Sequence, residues 1–131
     1  MGSEMCIRDS AWIIVTPEYN ASYPALLKNT LDWVSSPVKG DPVWNDDFRA
    51  TRGKVVGMLS ASPGGLGGLR SQSHLAPLLL NLYCWVCPKN FALGRAGDAF
   101  DEQGALINEA SRTQVQGVID QVLWAAGRLN P

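Results

Sequence analysis

Two short apolar runs, Ala11–Val15 (AWIIV) and Lys54–Ser60 (KVVGMLS), stop abruptly at loops that lead into segments of helical pattern. Runs this short, rich in β-branched residues and free of polar interruption, are those of strands buried on both faces of a helix-covered sheet. Pro17 cannot donate to a ladder and closes the first run. Beyond it, Asn20 or Ser22 can cap a helix with Pro24 near its first turn. Its apolar face is Leu27, Leu31 and Val34, flanked by Leu26 and Trp33, and Ser35-Ser36-Pro37 ends it. Residues 38–53 are polar and irregular. A second helix is predicted over Ser71–Leu82, where Pro77 either kinks it or marks its true first turn. A third strand, Tyr83–Cys87, stops at Pro88, and a loop through Asp98 leads to a last helix striped with Val115, Val118, Ile119, Val122 and Ala126. Alternating strands and helices predict an α/β fold with a parallel sheet. In open sheets of that kind ligands bind at the carboxyl ends of the strands. The loops Pro17–Ser22 (PEYNAS) and Ala61–Gly68 (ASPGGLGG) both lie there.

A chain of 131 residues with 46% hydrophobic and 18% charged residues is that of one globular domain. A net charge of −1 offers no basic footprint for nucleic acid. The most apolar stretch, Leu75–Cys87, is broken by Pro77 and Asn81 and falls short of the ~20 residues that a membrane span needs. No secretory leader opens the chain, and three cysteines do not make a disulfide framework, so a cytoplasmic location is expected.

The glycine loop lacks the spacing of a dinucleotide fingerprint and the Lys-Ser/Thr ending of a P-loop. Two readings stand for it: a plain strand-to-helix connection, or a backbone that approaches a planar or anionic ligand, which its position favours. Cys84-Trp-Val-Cys87 imitates a redox dithiol, but on a strand residues three apart point to opposite faces, so both thiols are expected to be structural. His74 lacks a full set of metal-ligand partners and is expected on a helix surface or in satisfied packing. Asp46, Asp47, Asp101 and Glu102 are expected to be solvated. Of the five tryptophans, Trp12, Trp33, Trp85 and Trp124 are expected in core or interface packing, with Trp44 in the polar loop.

Thr16–Trp33 (TPEYNASYPALLKNTLDW) resembles the signature of the NAD(P)H-dependent FMN reductases, which include quinone, chromate and azo reductases. The match runs through Pro17–Asn20, Ser22, Pro24, Leu27–Asn29, Asp32 and Trp33. Gly53–Leu79 and Phe100–Leu106 resemble the family's next strand-loop block and its lead-in to the last helix. The resemblance implies a flavodoxin-like three-layer α/β/α fold, bound FMN and a homodimer or homotetramer. It implies that Pro17, Glu18, Tyr19 and Asn20 line one side of the flavin, while Ser60, Ser62, Gly64 and Gly65 bring backbone and hydrogen bonds to the ring. It also implies hydride transfer from NAD(P)H through FMN to a small-molecule acceptor: a quinone, a flavin, an azo compound or a metal oxyanion.

By the same resemblance Ala11–Val15 corresponds to the family's third strand. Two βα units and a phosphate-binding loop are then expected to be missing. Residues 1–10 (MGSEMCIRDS) are expected to be a junction or non-native segment, with the reductase domain over residues 11–131. FMN binding by this chain is expected to be poor. The alternative reading is a non-catalytic α/β interaction module that keeps the family's oligomerisation surfaces.

Overall fold

The computed structural model describes residues 10–130. The expected junction segment therefore lies, Ser10 apart, outside the described residues. Strand β1 (Ala11–Pro17) pairs in parallel with β2 (Val55–Ala61) along its whole length, from Ala11 opposite Val55 to Pro17 opposite Ala61. Two short strands share the other edge of β2. β3 (Trp85–Val86) lies against Val55 and Val56, and β4 (Phe91–Leu93) lies against Leu59 to Ala61, both parallel. Helices α1 (Ala25–Ser35), α2 (Leu69–Asn81) and α3 (Glu109–Leu129) complete the α/β arrangement.

Strand β2 organises the core through its period of two. Val56 and Met58 pack with Leu31 of α1 and with Leu75 and Leu79 of α2. Val55 packs on the opposite face with Val122 and Ala126 of α3. Gly57 also faces α3: a Cβ there would lie 2.5 Å from Val122 Cγ2, so only glycine lets the helix seat this closely. The predicted stripe of α3 is confirmed, with Val118, Val122 and Ala126 buried. Asn108 caps the helix, its side chain accepting the Ser111 N–H at 3.1 Å.

Several expectations need correction. The first strand is not buried on both faces, because Val15 is 69% exposed and Ile13 is exposed beside it. Both project to the α3 face, where α3 is centred on β2 rather than β1. Neither Asn20 nor Ser22 caps α1: Pro24 holds the cap position without a side-chain bond. Helix α2 starts at Leu69 and carries Pro77 in its interior, at an exposed position. The predicted third strand shrinks to Trp85–Val86, and β4 follows it as a separate strand that was not predicted. Tyr83 adopts φ +62 and belongs to a turn, and Pro88 has no N–H. Asn90 bridges the gap, its Oδ1 accepting the Met58 N–H at 3.1 Å.

Of the tryptophans, Trp12 packs against the α1/α2 cluster, whereas Trp33, Trp85 and Trp124 are exposed and lie outside the core. The cysteine reading holds, for both thiols are free and buried, Cys84 in the α1/α2 cluster and Cys87 in the α3 cluster. They lie on opposite faces of the sheet, and burial pushes the Cys84 thiol up to about 11. Neither offers the ready thiolate that dithiol exchange needs. Among the described residues, no helix is long and apolar enough to cross a membrane.

Candidate functional site

The loop after β1 is a tight reversal. Tyr19 N–H donates to the Ser22 carbonyl at 2.9 Å and Ser22 N–H returns to the Tyr19 carbonyl at 3.0 Å. The two residues between them, Asn20 and Ala21, have φ of 50° and 65°. Left-handed values at both central positions define a type I′ turn, which Asn followed by Gly suits best. Asn20 tolerates this conformation, whereas Ala21 costs about 1 kcal/mol or more there. Ala21→Gly is expected to raise stability by roughly 0.5–1 kcal/mol, read as a higher urea midpoint with an unchanged slope.

The loop after β2 is held from inside. Ser60 is buried; its hydroxyl donates to the Gly67 carbonyl at 2.8 Å and accepts from Gln72 Nε2 at 2.7 Å. Gln72 Nε2 also reaches the Phe91 carbonyl at 2.8 Å. Ser62 N–H donates to the Leu93 carbonyl at 3.1 Å, and the Gly64 carbonyl accepts from Arg95 N–H at 3.1 Å. Gly67, Gly68 and Gly94 are fixed by their own fold, since a Cβ at each would come within 3.0 Å of a neighbour. Gly64 and Gly65 differ: neither has a left-handed φ, and a Cβ there would have no atom closer than 3.9 Å. No intramolecular hydrogen bond is made by the N–H of either among the described residues. Their N–H groups stand open at the carboxyl end of the sheet, while their carbonyls lie against Gly94.

The two loops leave adjacent, in-register strands, because Pro17 pairs with Ala61. They are also joined by charge. The Glu18 carboxylate accepts from Arg70 Nε at 2.8 Å and from Arg70 N–H at 3.2 Å, and it pairs with Arg70 Nη2. The Glu18 side chain is only 7% exposed. The side-chain hydrogen bond from Arg70 holds the carboxyl below its usual 4.5, against an opposing desolvation. A depressed folded value makes the ion pair stabilising above the unfolded value and removes that gain as pH falls through the folded one. Stability is therefore expected to fall below about pH 4.5 more steeply in the parent chain than in Glu18→Gln, measured by urea titration across that range.

The structure thus places Pro17, Glu18, Tyr19 and Asn20 after β1 and Ser62, Gly64 and Gly65 after β2, at the carboxyl ends of neighbouring strands, with the glycine loop leaning on residues 93–96 and the Ser60 hydroxyl pointing inward to Gly67 and Gln72. A cavity of about 390 Å³ opens beside the first loop, lined by Val15, Pro17, Tyr19, Pro24 and Leu26 among others. A larger apolar groove of about 520 Å³ lies at the opposite end of the sheet, between Val55, Trp85 and Trp124, away from both loops. His74 is exposed, its Nδ1 3.1 Å from Ser22 Oγ. Sequence reasoning missed Arg70, Gln72, Gly67 and Gly94. The i,i+4 spacing of Arg70 and His74 just after the glycine run, which puts both on one helix face, was the one available signal.

A family model described as NADPH-dependent FMN reductase matches residues 4–98. A quinone reductase of Pseudomonas putida is 34% identical over 116 residues, covering 87% of this chain and 57% of that protein. An NAD(P)H-dependent FMN reductase of Pseudomonas aeruginosa is 35% identical over 118 residues, covering 87% and 58% respectively. Among solved structures, the flavoenzyme NAD(P)H:(acceptor) oxidoreductase FerB of Paracoccus denitrificans superposes with a TM-score of 0.75 at 27% identity, over 93% of this chain and 64% of that one. The chain spans little more than half the length of the curated relatives it matches.

Proposed function

This chain belongs to the NADPH-dependent FMN reductase family and has its flavodoxin-like α/β fold; from that we propose that its two loops form the ring-binding part of an FMN site in an NAD(P)H-dependent oxidoreductase. The observation that carries this reading is the pair Gly64 and Gly65. They are glycines that the chain's own conformation and packing do not require, with unused N–H groups, at the carboxyl end of a parallel sheet.

The residues present suit such a group. The N–H groups of Gly64 and Gly65 would donate to the polar edge of the ring, with the Ser62 hydroxyl at the rim. Pro17, Tyr19 and Asn20 would line the other side, their turn held in shape by Glu18. Ser60 would act through the loop, by fixing Gly67. When bound, FMN supplies the redox chemistry, accepting hydride from NAD(P)H and passing electrons on. The chain's own contribution is to orient the ring between two rigid loops and to leave one face of it accessible.

The acceptor we infer is a small oxidised aromatic molecule of the quinone class, in keeping with the names of the relatives. Azo compounds and metal oxyanions remain within the same proposal, as do a homodimeric or homotetrameric assembly and a cytoplasmic setting. FMN titration of the purified chain tests the reading. Weak quenching of flavin fluorescence that saturates only at high FMN concentration, followed by slow benzoquinone-dependent oxidation of NADH or NADPH, is the expected result. A flat titration would leave the non-catalytic interaction module, for which the exposed Trp33, Trp85 and Trp124 are the favouring observation.

A further inference from the structure

We propose that Arg70 is the positioning residue of this site: through Glu18 it fixes the Tyr19–Ser22 turn to the start of α2 and so sets the spacing between the two ligand-facing loops. The inference rests on the reading of those loops as a ring-binding site.

Four observations converge on Arg70. First, helix α2 lacks a side-chain cap of its own, since its cap position is Gly68 at φ +86 with no side-chain acceptor. The orphan N–H groups of a helix start need acceptors, and the positive end of its dipole favours a carboxylate. Glu18, 52 positions earlier in the chain, supplies one by accepting the Arg70 N–H. The same carboxylate also takes two guanidinium donors of Arg70, a fork that a point-charge lysine cannot reproduce.

Second, the contact is asymmetric. The Glu18 side chain is 7% exposed while that of Arg70 is 56% exposed. The Arg70 guanidinium covers the acid and itself stays open to solvent. Third, the turn next to Glu18 holds Asn20 and Ala21 in left-handed conformations. Conformations of this kind persist only when their surroundings over-determine them. One helical turn further along α2, His74 meets Ser22 Oγ at the far end of the same turn, so α2 grips both ends.

Fourth, α2 begins directly after the glycine loop, with Arg70 only five residues beyond Gly65. A tie from Arg70 to Glu18 is therefore also a tie from Gly64 and Gly65 to Tyr19 and Asn20. Pairing of Pro17 with Ala61 sets the separation of the strands, but neither residue constrains the loops above them. Arg70 does.

The test uses Arg70→Gln, Arg70→Lys, Glu18→Gln and the double variant Glu18→Gln/Arg70→Gln. Amide hydrogen exchange is followed in the ligand-free chain over the segments 17–23, 55–60 and 64–71. Exchange over 17–23 is expected to quicken roughly tenfold in Arg70→Gln and in Glu18→Gln, with 55–60 unchanged. The double variant should be no faster than either single one. Arg70→Lys should restore part of the protection. In the flavin-binding protein, Arg70→Gln is expected to raise the dissociation constant of FMN by roughly tenfold, through misplacement of the loop. Unchanged exchange over 17–23 in both Arg70→Gln and Glu18→Gln, or additive effects in the double variant, would overturn the proposal. Should one single variant fail to fold, the other, together with Arg70→Lys, still decides. A chain that binds no FMN but shows the exchange pattern sinks the ring-site reading and keeps the tie. Normal FMN binding with unchanged exchange does the reverse.

Discussion

Gly67→Ala is expected to destabilise the chain by roughly 3 kcal/mol or more, because the added side chain forces backbone apart. The added Cβ would lie 2.6 Å from the carbonyl carbons of Ala92 and Leu93 and from the Gly94 nitrogen. All three are main-chain atoms of β4 and its exit, so no rotamer change relieves the overlap. The position also has φ +63, which a side chain disfavours on its own account. Relief by sliding the loop is blocked, because the buried Ser60 hydroxyl holds the Gly67 carbonyl at 2.8 Å. Gly94 presses from the other side, where a Cβ would sit 2.5 Å from the Gly65 carbonyl oxygen. The loop is thus a backbone-on-backbone stack between β2 and β4. Gly65→Ala is the matched control: no atom lies within 4 Å of its would-be Cβ, so stability should stay within about 0.5 kcal/mol of the parent. Urea midpoints of the two variants check the contrast. A Gly67→Ala chain as stable as Gly65→Ala would show that the stack is not tight. With the proposed flavin site, Gly65→Ala is the variant that weakens FMN binding while leaving the fold intact.

That contrast marks how far the sequence alone reaches. The run SPGGLGGLR announces a loop of close approach at a strand end, and the structure has one. What it approaches was not legible, because Gly67 and Gly68 serve β4 and Ser60, and β4 was hidden. Its three residues are too short for a periodic signal, and a gap where the Asn90 side chain takes the Met58 N–H separates it from β3. The two main strands and the stripe of α3 were readable because a short apolar run or a periodic apolar stripe marks each of them. Burial of β1 was not, since it depends on what covers Ile13 and Val15 rather than on their chemistry. At the site, the loop sequence PEYN pointed to the right strand end. It did not disclose that Glu18 would face a guanidinium from α2, a contact 52 residues away for which no local rule exists.

Gln72→Leu is expected to cost about 2–4 kcal/mol although it adds apolar surface, because one buried and one half-buried acceptor lose their donor. Gln72 Nε2 serves Ser60 Oγ and the Phe91 carbonyl at once, and Gln72 itself is only 4% exposed. The chain of donation runs from Gln72 to Ser60 and from Ser60 to Gly67, so one amide ties α2, β2, β4 and the glycine loop together. Leucine fills the space but cannot donate, and water has poor access to the orphaned oxygens. The cost should appear as a lower urea midpoint, with faster exchange at Gly67 and Phe91. Gln72→Glu separates lost donation from lost packing. An ionised carboxylate can give neither bond, whereas the protonated acid can give one. Burial raises the folded-state pKa of such a group above its unfolded value. Stability of Gln72→Glu should then be greatest below about pH 4.3 and should decline as pH rises towards the raised value, while Gln72→Leu lacks this dependence. Parallel pH profiles for the two variants would show that the loss comes from packing around residue 72 rather than from the donor it carries.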